Sequence, residues 1–337
     1  MRTGSKVGIA MAAMVFACFL ASNPMAAFGQ SPSQSQSAAI TAAEAWAFAK
    51  QGSPGAPTAS AATPNPHQLV HVAGSTRTYT QAQIDETIPD WFPQDHPAMP
   101  KIVSTGHKPV VEGCGGCHLV NGAGVPSTAA LAGLPRAYIL EQIAAFRADE
   151  RGVSTVATLQ TMPKEARGLA AADLQLAADY FSKMKFLPHT RVIETATVPK
   201  THWHYFVLRP DGDGARESLG ERIIETPSNF QDYAANSDRV SFIAYVPPGS
   251  IERGAIIASQ GVHGAQTCES CHGGDLQGVG NIPPLAGRSP TYIVRELILF
   301  RLGKRTNPGA APMRAEVSRL TLQDLIDVAA YAGSRKS

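Results

Sequence analysis

Aromatic residues are scarce in this 337-residue chain, at 7% of the total. Domains with so few large side chains lack core volume, because short chains bury proportionally little surface. A bulky apolar cofactor would make up that deficit. Excess charge is also missing: 29 basic residues stand against 27 acidic ones. No basic field therefore points to nucleic acid. The only long apolar run, Val7 to Leu20, follows Arg2 and Lys6 and falls short of the ~20 residues a membrane span needs. It reads as an export signal, with Ala27-Phe28-Gly29 as a small-x-small cleavage site. Losing Arg2 and Lys6 leaves 27 basic and 27 acidic residues, a net charge near zero. The expectation is a periplasmic protein without an integral span, free to touch a membrane surface.

Cysteine is sparse as well, and placement matters more than number. Cys18 lies in the signal segment, where Val15-Phe16-Ala17-Cys18 loosely resembles a lipobox. Phe16 fits that motif badly, which favours ordinary cleavage. The other four form Cys114-Gly115-Gly116-Cys117-His118 and Cys268-Glu269-Ser270-Cys271-His272. C-x-x-C-H is the attachment motif of c-type haem. Two thiols one helical turn apart reach the two vinyl groups, and the next residue sets an imidazole under the iron. Disulfides or a four-thiolate zinc site are the alternatives in an oxidising compartment. Zinc pairs usually lie ~15–20 residues apart, and neither alternative explains a histidine after both pairs.

The motifs sit at matching places in an internal repeat. Cys114 and Cys268 are 154 positions apart, and that offset also pairs Leu131-Ala132-Gly133 with Leu285-Ala286-Gly287. It pairs Tyr138-Ile139 with Tyr292-Ile293, Phe146-Arg147 with Phe300-Arg301, and Arg151 with Arg305. Farther on the offset becomes 151, matching Asp173-Leu174 with Asp324-Leu325 and Tyr180 with Tyr331. Ile139, Ile143 and Phe146 recur at i, i+4 and i+7, as do Ile293, Leu297 and Phe300, which is helical periodicity.

The organisation expected is a signal segment over 1–29, a tether and arm over 30–94, a first haem domain over 95–187, an inter-domain segment over 188–248 and a second haem domain over 249–337. The Ser-, Ala-, Gln- and Pro-rich stretch 30–66 has the composition of a tether. Thr80 and Gln83 make a capping box for a short helix, and Trp91 and Phe92 offer anchors for the arm. The 188–248 segment reads as irregular with a little β-structure. His202 to Leu208 and Val240 to Val246 are aromatic and β-branched runs, Asp211-Gly212-Asp213-Gly214 is a turn signal, and one hairpin is expected to pack on the haem domains.

A sixth iron ligand is expected from Met162 and Met313, which align at offset 151, one beside Pro163 and the other beside Pro312, in loops before the terminal helix. A methionine is otherwise core filler, but Met99 and Met184 have no aligned partner. His202 and His204 share a face of a strand and lie outside both repeats, so hydrogen bonding explains them better than metal binding. His67, His71, His96 and His107 read as structural too.

These residues are similar to a known family. Cys114–His118 with Leu131–Arg147, Met162 and Tyr180, and Cys268–His272 with Leu285–Arg301, Met313 and Tyr331, each resemble a class I cytochrome c. The pair resembles the two-domain di-haem cytochromes c of proteobacterial respiratory chains. That resemblance implies an all-α fold, two class I domains in tandem around two covalent haems c. Cys114, Cys117, Cys268 and Cys271 would attach the haems, with His118 and Met162, and His272 and Met313, as axial ligands. It implies electron transfer between a dehydrogenase or quinol-oxidising complex and an acceptor such as a terminal oxidase. A peroxidase-like or sulfur-compound-oxidising enzyme, or a cytochrome subunit of a dehydrogenase, is the competing expectation. An enzyme needs an open iron or an unusual distal ligand, whereas each repeat offers a methionine and no mature cysteine is left over. The long arm and the roughly 60 residues between the repeats depart from the compact two-domain pattern and suggest a dedicated docking surface.

Overall fold

Each repeat folds as five helices in the same order. In the first they are Lys101–Ser104, Cys114–His118, Arg136–Arg147, Ala157–Gly168 and Ala171–Ser182; in the second, Ser250–Gln260, Cys268–His272, Pro290–Arg301, Ala311–Val317 and Leu322–Ser334. The computed structural model describes residues 34–49, 65–152, 157–204 and 206–337, with Met1 and Gly4. The export signal, its cleavage site and Cys18 lie outside the described residues. Pro32–Ser337 forms one unit, and Met1–Ser31 is assigned to another.

The apolar periodicity is met throughout in the second repeat and in part in the first, where Ile143 and Phe146 are only half-buried. Ile139 is buried with Ala177, Ala178 and Phe181 in the first core; Ile293, Leu297 and Phe300 are buried with Leu325 and Ala329 in the second. Backbone hydrogen bonds repeat as faithfully as the sequence. Gly133 N–H donates to the Phe181 carbonyl, and Gly287 N–H to that of Ala332. Glu112 N–H donates to Glu165 at 2.8 Å, and Gln266 N–H to Glu316 at 2.8 Å.

Residues 34–47, placed by composition in a tether, form the helix Gln34–Ala47. Its Ile40, Ala43 and Ala47, with Phe48 beyond its end, are buried in the second repeat's core, and the Arg295 guanidinium lies 4.7 Å from the Phe48 ring centroid. Small polar residues on the other face diluted a stripe spaced as a helix requires. The arm docks as expected: Thr80 and Gln83 form a capping box, and Trp91 and Phe92 are buried with Ala235, to whose carbonyl the Trp91 indole donates at 2.8 Å.

The inter-repeat segment holds much more β-structure than one hairpin. Among the described residues seven strands run between Thr190 and Val246. The run His202 to Leu208 falls inside one hairpin, Thr201–His204 pairing with Val207–Pro210, and Asp211–Gly214 follows that hairpin instead of turning it. Phe242–Val246 is the centre of a three-stranded sheet, parallel to Thr190–Glu194 and antiparallel to Ile224–Pro227. All four residues of Ile224–Pro227 are buried. A strand covered on both faces shows no alternation, and its Glu225 and Pro227 have poor strand propensity, so sequence pattern passes over it.

The repeats meet around a pseudo-symmetric charge cluster. Arg151 and Arg305, equivalent at offset 154, face each other across an antiparallel bridge. Both donate to Gln142 at 2.8 Å, and both pair with Glu296, at 3.0 and 2.7 Å. Gln142 and Glu296 are themselves equivalent, so one neutral and one charged acceptor serve two buried cations. Burial pushes the Glu296 carboxyl up, but Arg151 and Arg305 outweigh it and hold it at about 2. Arg288 adds a clamp, donating from the second repeat to the Ala130 and Ala132 carbonyls of the first at 2.6 and 2.9 Å.

Candidate haem sites

The two motif helices, Cys114–His118 and Cys268–His272, are short enough to hold little more than one turn, which sets the two thiols one turn apart and the histidine one residue beyond. Each is followed by a loop that returns under it. Gly124 N–H donates to the His118 carbonyl at 2.9 Å, and Gly278 N–H to the His272 carbonyl at 2.6 Å. Both glycines have positive φ, 71° and 81°, and a Cβ on Gly124 would lie 2.7 Å from the Ala129 carbonyl oxygen. Only glycine accommodates both demands.

Those loops orient the imidazoles. His118 Nδ1 lies 2.8 Å from the Ala129 carbonyl and His272 Nδ1 lies 2.9 Å from that of Pro283. The two carbonyls are again equivalent at offset 154. A carbonyl can only accept, so Nδ1 carries the proton and Nε2 keeps its lone pair. Burial lowers the pKa of both rings, keeping them neutral, the form that binds a metal. His272 Nε2 is buried without a hydrogen-bond partner. Such an atom costs about 1–3 kcal/mol unless something binds it, and iron at that position answers the need.

The thiols suit attachment better than zinc. Cys117 and Cys271 are exposed, Cys114 and Cys268 half-buried, and none is in a disulfide. Burial pushes the Cys114 thiol up to about 12 and the Cys268 thiol up to about 11, so they are neutral thiols and not ready thiolates. Among the described residues no group of three or more His, Cys, Asp or Glu side chains could hold a metal ion between them. The residues present thus fit a c-type haem in each repeat.

Met162 and Met313 are half-buried and lie on equivalent helices, Ala157–Gly168 and Ala311–Val317, not in the loops expected beside their prolines. Pro312 sits in the first turn of its helix, where proline lacks nothing a helix needs; Pro163 is tolerated inside the other. Met313 packs against the second repeat's core. His202 Nδ1 donates to the Asp211 carboxylate at 2.7 Å, and the His204 ring lies edge-on to Phe230 at 4.8 Å. Sequence reasoning missed the Arg151–Gln142–Arg305–Glu296 cluster. The Arg151/Arg305 match inside the repeat was its one visible signal.

No family model matches the chain. Among curated proteins it is 39% identical over 71 residues to cytochrome c-554(548) of Halomonas halodenitrificans, covering 21% of this chain and 86% of that one. It is 39% identical over 85 residues to cytochrome c-552 of Acidithiobacillus ferridurans, 25% of this chain but only 36% of the relative's length. Cytochrome c4 of Stutzerimonas stutzeri matches at 28% over 134 residues, 35% of this chain and 63% of the relative. Among solved structures, thiosulfate dehydrogenase TsdBA of Marichromatium purpuratum superposes with a TM-score of 0.49 at 23% identity, over 70% of this chain and 39% of that one. Cytochrome c4 of Acidithiobacillus ferrooxidans gives 0.43 at 24%, over 66% and 98%.

Proposed function

Because the chain belongs to the class I cytochromes c, we propose that it is a periplasmic carrier holding two covalent haems c. It would pass electrons from a dehydrogenase or quinol-oxidising complex to an acceptor such as a terminal oxidase. The observation carrying this reading is the duplicated His–carbonyl geometry, 2.8 Å at His118 and 2.9 Å at His272, behind two C-x-x-C pairs. A haem bound there supplies an iron that cycles between ferrous and ferric states. Cys114 and Cys117, and Cys268 and Cys271, would attach it by thioether bonds, and His118 and His272 would offer Nε2 to the iron. The Ala129 and Pro283 carbonyls fix the tautomer and ring plane, the usual part played by a ligand's outer hydrogen bond. Met162 and Met313 are assigned as distal ligands because they are equivalent in the repeat and stand on equivalent helices. Export with cleavage near Gly29 accounts for haem attachment outside the cytoplasm. Among the described residues no helix is long and apolar enough to cross a membrane.

Acid–acetone extraction of protein matured in a competent host tests the assignment. Both haems are expected to stay with the chain, raising its mass by two haem groups; one haem or none overturns it. Substituting the methionines tests the distal ligands. Met162→His and Met313→His should each remove one haem's share of the near-infrared Met–iron band and lower one potential, since a thioether favours ferrous iron more than an imidazole does. Unchanged spectra and potentials in both would remove Met162 and Met313 from the ligand set.

A further inference from the structure

The repeats differ in what covers the loop behind the proximal histidine. In the first repeat every residue from Gly122 to Pro126 is buried. Ala123 and Val125 pack with Leu119 against Val207, Val240 and Phe242 of the inter-repeat segment, and Arg295 of the second repeat donates to the Pro126 carbonyl at 3.3 Å. The equivalent loop of the second repeat has the same backbone, Val279 and Ile282 bridging as Val125 and Thr128 do. Its side chains face outward: Val279 is 57% and Ile282 38% exposed, and Gln277, Gly280 and Asn281 are exposed beside them. The substitution within the repeat is telling. Thr128 closes its loop by donating to the Cys117 carbonyl at 2.7 Å, and at that place the exposed copy has an isoleucine. Val279 and Ile282 stand together across one bridge on this open loop, and adjoining exposed apolar side chains are where a partner surface gains burial.

Charge says what kind of surface would cover it. Gln277 donates to the Lys336 carbonyl at 2.7 Å, and Asp275 pairs with Arg335 at 2.6 Å, which ties this loop to the C-terminal end of the terminal helix. There an open cavity of about 520 Å³ is lined by Lys185, Arg191, Arg335 and Lys336 with Leu187 and other residues. Lys185, Arg191 and Lys336 are exposed. Asp275 is already taken by Arg335, Glu269 on the motif helix stands near the same Tyr331, and Ser337 with its terminal carboxylate also lines the cavity, beside three exposed cations. The apolar loop is thus flanked by a cationic rim on a chain whose overall charge is nearly balanced.

We propose that this face of the second repeat is the docking surface for a redox-partner protein with an apolar centre and an acidic rim. The matching face of the first repeat is closed by the chain's own strands. The proposal rests on the reading of the protein as a two-haem carrier. Apolar contact at Val279 and Ile282 gives the burial, while the cations steer encounter and set its salt dependence. Such a patch suits a small, transient interface, below about 1,200 Å² in total.

A gold surface bearing mixed carboxylate- and methyl-terminated thiols serves as the probe, with uptake of the full holoprotein read by quartz-crystal microbalance. Lys185→Glu/Arg191→Glu/Lys336→Glu should lower uptake about tenfold at low ionic strength, the difference disappearing at high salt as charges are screened. Val279→Asp/Ile282→Asp should lose uptake on the mixed surface. Haem content, visible spectra and redox titration with diffusing mediators are measured on the same samples; failure there counts against the carrier reading and not against the surface. Uptake unchanged in either variant, with those controls intact, overturns the docking face. A concentration-dependent dimer in sedimentation velocity, abolished by Val279→Asp/Ile282→Asp, overturns it too and gives the face to a second copy of the chain.

Discussion

Among the described residues Asp238 is a buried carboxylate with little support. It is 4% exposed, and neither carboxylate oxygen has a hydrogen-bond partner on another residue. Its backbone carbonyl accepts from Asn121, three residues past His118. Burial pushes its pKa up from 3.8 to about 6, its own backbone N–H, His96 and Arg239 opposing and Asp95 reinforcing the shift. A raised carboxyl pKa means the folded chain keeps a proton that the unfolded chain releases, so stability falls as pH rises from about 4 to 6. Asp238→Asn is therefore expected to stabilise by up to about 2 kcal/mol above pH 6, a gain absent below pH 4. Urea unfolding of both proteins at pH 4 and pH 8 checks this; a pH-independent difference would show that the carboxyl is not the cause. Glu296 behaves oppositely because two arginines face it. A sequence shows both as acidic residues, and only neighbours brought from afar tell them apart.

Among elements, the crossing of Ser250–Gln260 with Leu322–Ser334 is the tightest contact to depend on a glycine. A Cβ at Gly254 would fall onto the Asp327 carbonyl oxygen and lie 2.7 Å from Tyr331 Cβ. Arg253 beside it holds the Asp327 carboxylate with two bonds, at 2.7 and 2.9 Å. In an exposed helix Gly→Ala gains up to about 1 kcal/mol. Here Gly254→Ala should instead destabilise by about 1–3 kcal/mol through overpacking. Guanidinium unfolding followed in the Soret region gives the sign, and a stabilised variant would mean the helices separate easily. The helices themselves were legible from period; the glycine's role was not, because a missing side chain gives no pattern. Gln34–Ala47 is the converse case. Its apolar spacing was legible, and composition concealed it.

For the molecule as a whole, the inter-repeat segment acts as mortar. Trp203, Leu208 and Leu219 form a small core with Ile224; Phe242 and Val240 pack on Leu119 and Val125 of the first repeat; Ile223 and Val246 join the core of the second. Glu225 is buried between strands and the second repeat, where Thr190 and Ser289 donate to it at 2.9 and 2.6 Å. Apolar contacts to both repeats at once should hold them in one arrangement. Limited proteolysis of the native protein is accordingly expected to spare residues 195–245. Rapid cutting there, releasing two single-haem fragments that separate on a column, would show that the repeats move freely.

Much of this protein is settled by its residues in order. Two C-x-x-C-H motifs, the 154-residue offset and the 3.6-residue period are local or repeated patterns, so they can be read without knowing what lies across the fold. Methionine equivalence, the capping box at Thr80 and the anchors Trp91 and Phe92 were legible for the same reason. Tertiary structure alone decided the rest. The strand Ile224–Pro227 is buried on both faces, the Arg151–Arg305 bridge joins positions far apart in sequence, and Val125 is covered where Val279 is bare. Each depends on which surfaces meet, and near-identical loops acquire different surroundings only when the whole chain has packed.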